Sequence, residues 1–178
     1  MAANTTSAVA KAGRVQLMGF DVDGVLTDGT LYFSSQGDEM KAFSSLDGHG
    51  LKMLQRAGVE VAIISGRSSR ALELRAANLG IDELHMGVED KRELLTRLAR
   101  QRGIGLAQTG YMGDDVVDLP VLCVCGFSAT VADGHGEVLA RVDFVAGKGG
   151  GRGAVREVCD LIIRAQGKWD AAMAEYLA

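Results

Sequence analysis

Six short apolar runs alternate with segments of helical period from Arg14 onward: Val15 to Phe20, Val59 to Ser65, Leu84 to Met86, Thr109 to Gly113, Phe127 to Val131 and Phe144 to Val145. That alternation is the pattern of a parallel sheet covered by helices on both faces. The helical segments are Gly50 to Ala57, Ser68 to Leu79, Asp90 to Gln101, Val117 to Cys123 and Ala154 to Ala165, with Gly58, Gly80, Gly103 and Gly167 as stops. The expected fold is therefore α/β, a Rossmann-like parallel sheet sandwiched by helices. One stretch interrupts the rhythm. Thr30 to Ser34, a Gln36-Gly37-Asp38 turn and Glu39 to Phe43 predict a β-hairpin after the first strand, a flap at about residues 29–43.

A chain of 178 residues with 47% hydrophobic content can bury one core without disulfides, and residues 14–178 are expected to form one domain. Residues 1–13, rich in Ala, Thr and Ser, are expected to be a disordered tail; they lack the apolar core of a secretory signal. No stretch supplies the ~18 consecutive apolar residues of a membrane span. The net charge of -4 comes with no basic run able to neutralise a nucleic acid backbone, so neither nucleic acid nor membrane is expected as a partner. Cys123, Cys125 and Cys159 form an odd set with no Cys-x-x-Cys spacing, which reads as a reduced, cytoplasmic protein.

Asp21 and Asp23 fall just past the carboxyl end of the first strand, where open α/β sheets place their ligands, and a period of two puts both side chains on one side. Two carboxylates so close repel unless a cation intervenes, and Mg²⁺ is the natural hard, oxygen-ligated ion. Taken alone, Asp-x-Asp-Gly is as readily a turn. Three further strand ends change the odds. Ser65-Gly66-Arg67 offers a hydroxyl and backbone N–H groups for phosphate, Lys91 offers a point charge, and Gly113-Asp114-Asp115-Val116-Val117-Asp118 offers carboxylates to finish a metal site. Each has a plain reading by itself: a helix cap, a solvated lysine, an acidic cap. All would have to coincide.

Asp-x-Asp-Gly, Ser65, Lys91 and Gly113-Asp114-x-x-x-Asp118, in that order, resemble the four motifs of the haloacid dehalogenase superfamily of phosphatases. Within it, Asp21 to Gly29, Ile64 to Ser69, Tyr111 to Pro120 and Gly149 to Lys168 are similar to the family that dephosphorylates 3-deoxy-D-manno-octulosonate 8-phosphate, a precursor step of lipopolysaccharide. The resemblance implies a capless, Mg²⁺-dependent homotetramer acting on a sugar-acid phosphate through an aspartyl-phosphate intermediate. In that scheme Asp21 is the nucleophile. Asp23 donates a proton to the leaving sugar oxygen and then activates water, so it starts the cycle protonated. Asp21, Asp23 (through its backbone carbonyl) and Asp114 hold the metal; Asp118 orients Asp114 or Lys91, with Asp115 competing for either role. Ser65 binds a phosphate oxygen, and Gly66 and Arg67 face the substrate.

In one place the chain departs from that family: Ser45-Leu46-Asp47-Gly48 stands where the family has Val-Arg-Asp-Gly. The lost arginine leaves a nonulosonate 9-phosphate as an alternative substrate. From another class, a noncatalytic phospho-acceptor switch shares the acidic site, hydroxyl and lysine, yet such receivers carry the acceptor after the third strand, where this chain has Gly87-Val88-Glu89-Asp90.

Gly147 to Gly153 reads either as a flexible linker into the last helix or as a mobile lid, at about residues 147–168, that brings Lys148 and Arg152 to an anionic substrate. Asp-Gly-His-Gly occurs at 47–50 and again at 133–136 with unrelated flanks, which predicts coincidence and no repeat. His49, His85 and His135 have no ligand spacing.

Overall fold

The structure is a computed structural model that describes residues 2–177. Six strands, β1 (Leu17–Phe20), β4 (Glu60–Ile64), β5 (Glu83–His85), β6 (Thr109–Met112), β7 (Phe127–Thr130) and β8 (Phe144–Val145), form one parallel sheet in the order β5-β4-β1-β6-β7-β8. The expected α/β class holds, and all six expected strands are present. The order reverses at β1, which places the topological switch point, and the crevice that goes with it, above Phe20. Register carries the strand ends to one edge: Phe20 lies opposite Ile63 on β4 and Met112 on β6. Asp21, Ser65 and Asp114 consequently emerge side by side, although long stretches of chain separate them.

Strand alternation sorts the core into two layers. On one face Met18, Phe20, Val61, Ile63 and Phe127 pack with α2 (Ser45–Arg56) and α7 (Ala154–Ala165). On the other, Leu17, Ala62, Ile64 and Tyr111 meet Leu94, Leu95 and Leu98 of α4 (Lys91–Gln101) and Val121 and Leu122 of the single-turn α5 (Leu119–Leu122). α3 (Arg70–Leu79) covers the first layer with Leu72, Ala76 and Leu79.

Between β1 and α2 the chain inserts only a short antiparallel pair, β2 (Tyr32–Phe33) with β3 (Glu39–Met40), so there is a hairpin and no cap domain among the described residues. The expected disordered tail is instead helix α1 (Ala2–Ala12). Alanine is the strongest helix former, and Ala8 and Ala12, one turn apart, are buried in the α7 layer. Helix α2 begins at Ser45, earlier than expected, because the Ser44 hydroxyl caps it by accepting the Asp47 N–H. The helix expected at 117–123 is a 3-10 turn, Val116–Asp118, running into α5. Two further helices, α6 (Gly136–Leu139) and α8 (Trp169–Leu177), complete the chain.

Candidate active site

Asp21 leaves the carboxyl end of β1 with its N–H donated to the Met112 carbonyl (2.9 Å), which extends the sheet ladder one residue into the site. Its side chain is buried, and one carboxylate oxygen lies 2.9 Å from the Lys91 ammonium. Lys91 opens α4, whose first turn is fixed by Asp90 accepting the Glu93 N–H at 2.8 Å. The same ammonium reaches Asp118 at 2.6 Å. Asp118 is fully buried: its other oxygen accepts the N–H groups of Asp114 (3.1 Å) and Asp115 (3.3 Å), and the Tyr111 hydroxyl donates from below at 3.4 Å. Asp118 thus shapes the loop that presents Asp114 while it holds Lys91 against Asp21.

Oxygens of Asp21, Asp114 and Asp118 all lie within 4.8 Å of one another. Burial first, then the neighbouring Asp118, pushes the Asp21 carboxyl up to about 6, with Lys91 opposing. Burial and then the charges of Asp21 and Asp118 push Asp114 to about 7. Burial works against the Lys91 charge, but Asp21 and Asp118 outweigh it and hold the ammonium above its ordinary value. One oxygen of Asp114 is buried with no hydrogen-bond partner. Three crowded carboxylates, one cation and an orphaned acceptor form a donor set short of positive charge, and a hard divalent ion fits it. Gly24 shapes the approach. It sits at φ 91°, and a Cβ there would run into the Asp114 carboxylate, so only glycine lets the two loops close on each other.

The structure separates Asp23 from this group. Its carboxylate pairs with Lys41 and, at 3.6 Å, with Arg67, while Glu39 lies 2.9 Å from Lys41 and 3.2 Å from Arg67. The two side chains of Asp-x-Asp therefore lie in different groups, and Asp118, not Asp23, is the third carboxylate of the cluster. Asp115 and Asp118 differ in burial. Asp115 is exposed and caps the 3-10 turn through the Val116 N–H (2.7 Å), while Asp118 is the buried member that accepts the Asp114 N–H.

Ser65, buried after β4, accepts the Arg67 N–H at 3.1 Å, and a Cβ on Gly66 between them would meet only the Val88 carbonyl oxygen, at 3.7 Å. Arg67 faces the hairpin. Arg152 is exposed, 3.9 Å from Asp28 at the far end of the loop that follows Asp21; Lys148 is exposed and engages the fold through its carbonyl. Sequence reasoning missed Lys41 and Glu39. Period two on the second hairpin strand sets both on one face, but no local pattern says which way that face turns.

A buried aspartate at a strand end at the switch point, facing a buried lysine and a Gly-Asp-x-x-x-Asp loop, is the arrangement of the haloacid dehalogenase class of hydrolases. No family model matches the chain. It is 44% identical to the 3-deoxy-D-manno-octulosonate 8-phosphate phosphatase KdsC of Escherichia coli K12 over 164 residues, 92% of this chain and 87% of that protein. The crystal structure of the Moraxella catarrhalis 3-deoxy-D-manno-octulosonate 8-phosphate phosphatase, in complex with magnesium ion, phosphate ion and KDO, superposes with a TM-score of 0.92 at 42% identity, covering 95% of this chain and 97% of that one. A putative haloacid dehalogenase superfamily (subfamily III A) hydrolase from Legionella pneumophila superposes with a TM-score of 0.94 at 38% identity over 99% and 97%. The chain belongs to the family of 3-deoxy-D-manno-octulosonate 8-phosphate phosphatases.

Proposed function

We propose that the protein hydrolyses 3-deoxy-D-manno-octulosonate 8-phosphate to the free sugar acid and inorganic phosphate, with Mg²⁺ as cofactor, supplying the sugar acid of lipopolysaccharide. The observation that carries the chemistry is the Asp21–Lys91 pair at 2.9 Å inside the buried carboxylate cluster; family membership carries the substrate. Asp21 attacks phosphorus as a carboxylate and needs no separate base, giving an aspartyl phosphate and splitting one hard step into two. Lys91 lies where it can offset the negative charge of both nucleophile and phosphoryl group. Asp23 gives a proton to the departing sugar oxygen and then takes one from the water that opens the aspartyl phosphate.

The carboxylates of Asp21 and Asp114 hold the metal, with the Asp23 carbonyl as a further ligand on the family resemblance and Asp118 orienting the set. Bound magnesium supplies Lewis-acid neutralisation of the phosphoryl oxygens. Ser65 and Gly66 receive phosphate oxygens. Arg67, with its forked donors, receives the substrate carboxylate, an anion that competes with Asp23 and Glu39 for it. Lys148 and Arg152, exposed on the glycine run, are the cations that draw in the anionic substrate.

A homotetramer is supported by the exposed apolar side chains of the hairpin, Leu31, Tyr32, Phe33 and Met40, which a self-association would cover. No helix of the described residues is long and apolar enough to cross a membrane, and a cytoplasmic location suits the reduced cysteines and the substrate.

The test is phosphate release from a panel of sugar-acid phosphates, neutral sugar phosphates and nucleotides, with Mg²⁺ or EDTA. Octulosonate 8-phosphate is expected to lead, EDTA to abolish release, and Asp21→Asn to remove turnover with the fold intact. Preference for a nonulosonate 9-phosphate or a neutral sugar phosphate overturns the substrate; turnover by Asp21→Asn overturns the mechanism.

A further inference from the structure

The two Asp-Gly-His-Gly sequences have unrelated local structures, one inside helix α2 and the other in the turn before α6, yet their aspartates grip the same glycine run. Asp133 accepts the Gly150 N–H at 3.0 Å. Asp47, buried, accepts the Gly153 N–H at 3.2 Å and the Arg156 N–H at 2.9 Å, which also caps α7. Between these anchors the run lies along the loop that follows the nucleophile. The Gly151 N–H donates to the Val25 carbonyl at 2.9 Å, a Cβ on Gly150 would collide with the Gly24 carbonyl, and one on Gly151 would lie 2.8 Å from the Thr27 carbonyl carbon. On its other side, the Ala132 N–H donates to the Lys148 carbonyl (2.9 Å), and the His135 N–H donates to the carbonyl of Asp114 itself (2.8 Å).

We infer that Lys148–Gly153 is a strap that holds the Asp21 loop and the Asp114 loop at their working separation, and that Asp133 and Asp47 are positioning residues for the metal site acting through it. The inference rests on the reading of Asp21 and Asp114 as metal ligands. It also explains three of the glycines: Gly150 and Gly151 lie against the backbone of residues 24–28, and a Cβ on Gly149 would collide with the Asp133 carboxylate. Residues that orient metal ligands from behind are commonly worth about 10- to 100-fold in affinity or activity.

Asp133 is exposed, so removing its side chain leaves the core alone, whereas Asp47 is a buried cap whose loss can unfold the protein. The experiment therefore compares Asp133→Ala with Asp133→Asn, which keeps an oxygen to accept the Gly150 N–H. Magnesium binding is read by titration calorimetry, and kcat and KM with the sugar-acid phosphate. Asp133→Ala is expected to weaken Mg²⁺ binding and lower kcat, each by about tenfold or more, with KM within about twofold, and Asp133→Asn to restore both. Wild-type Mg²⁺ affinity in Asp133→Ala, with or without a lower Tm, overturns the inference. So does Asp133→Asn behaving like Asp133→Ala, because charge and not the strap bond would then be responsible. The calorimetry needs no substrate, so a wild-type protein that binds Mg²⁺ but spares the sugar-acid phosphate would fault the proposed substrate and leave this comparison standing.

Discussion

Asp21 and Asp23 are two residues apart, and their side chains serve different neighbourhoods: one lies in the buried carboxylate cluster with Lys91, the other in a second set of charges with Lys41, Arg67 and Glu39. The difference is testable by calorimetry. Asp23→Asn preserves the main-chain carbonyl and the shape of the side chain, so Mg²⁺ affinity is expected to stay at the wild-type value while kcat falls by about 10²- to 10⁴-fold, the usual loss for a positioned acid–base group. Loss of Mg²⁺ binding in that variant would return the Asp23 carboxylate to the metal site. The strand-end residues were legible in the sequence because each motif closes a recognisable strand. The charges around Asp23 were not, because Lys41 and Glu39 sit on a hairpin whose path back over the site is set by tertiary packing and by no local pattern. Asp118 over Asp115 was undecidable from adjacency alone; the 3-10 turn buries one and exposes the other.

At the scale of elements, the six strands and the last long helix fall where apolar period places them, and the four glycines read as helix stops all have positive φ. The misses share a cause. Helix α2 carries Gly48 and Gly50 in its first turns, which depress propensity, and the structure keeps them because Arg75 and Arg156 pack where a Cβ would be. Helix α1 has Val9 as its only large apolar residue, and its burial depends on the small alanines Ala8 and Ala12 meeting α7. Deleting residues 1–12 should therefore destabilise a fold whose site stays intact. Uncovering the buried alanine contacts and the α7 surface beneath them costs on the order of 2 kcal/mol, a Tm lower by roughly 4–8 °C. Scanning calorimetry checks the Tm, and kcat at 25 °C should be unchanged. An unaltered Tm would mean that α1 does not dock.

For the whole molecule, the buried carboxylates of Asp21 and Asp114 oppose folding when ionised, and pH reports the balance. In the metal-free fold Asp21 sits at about 6 and Asp114 at about 7, both above the ordinary unfolded aspartate value of about 3.9. A carboxyl raised in the folded state contributes stability that is fully present below its unfolded value and is lost as pH rises through its folded value. These two groups accordingly stabilise the metal-free protein near pH 4 and lose that contribution progressively to about pH 7. On the proposed ligand set Mg²⁺ would bind these carboxylates deprotonated, competing with protons over the same window and restoring what the rise in pH removed. The Tm difference between Mg²⁺ and EDTA samples should be small at pH 5, grow through pH 6–7 and level off by pH 8. In Asp114→Asn, which lacks one titrating ligand, the EDTA curve should flatten and the Mg²⁺ increment shrink. A Tm increment independent of pH would show that the cation acts elsewhere on the protein. The growth of that increment between pH 5 and 8 would locate it at the crevice where Asp21 and Asp114 are brought together by strands the chain makes far apart.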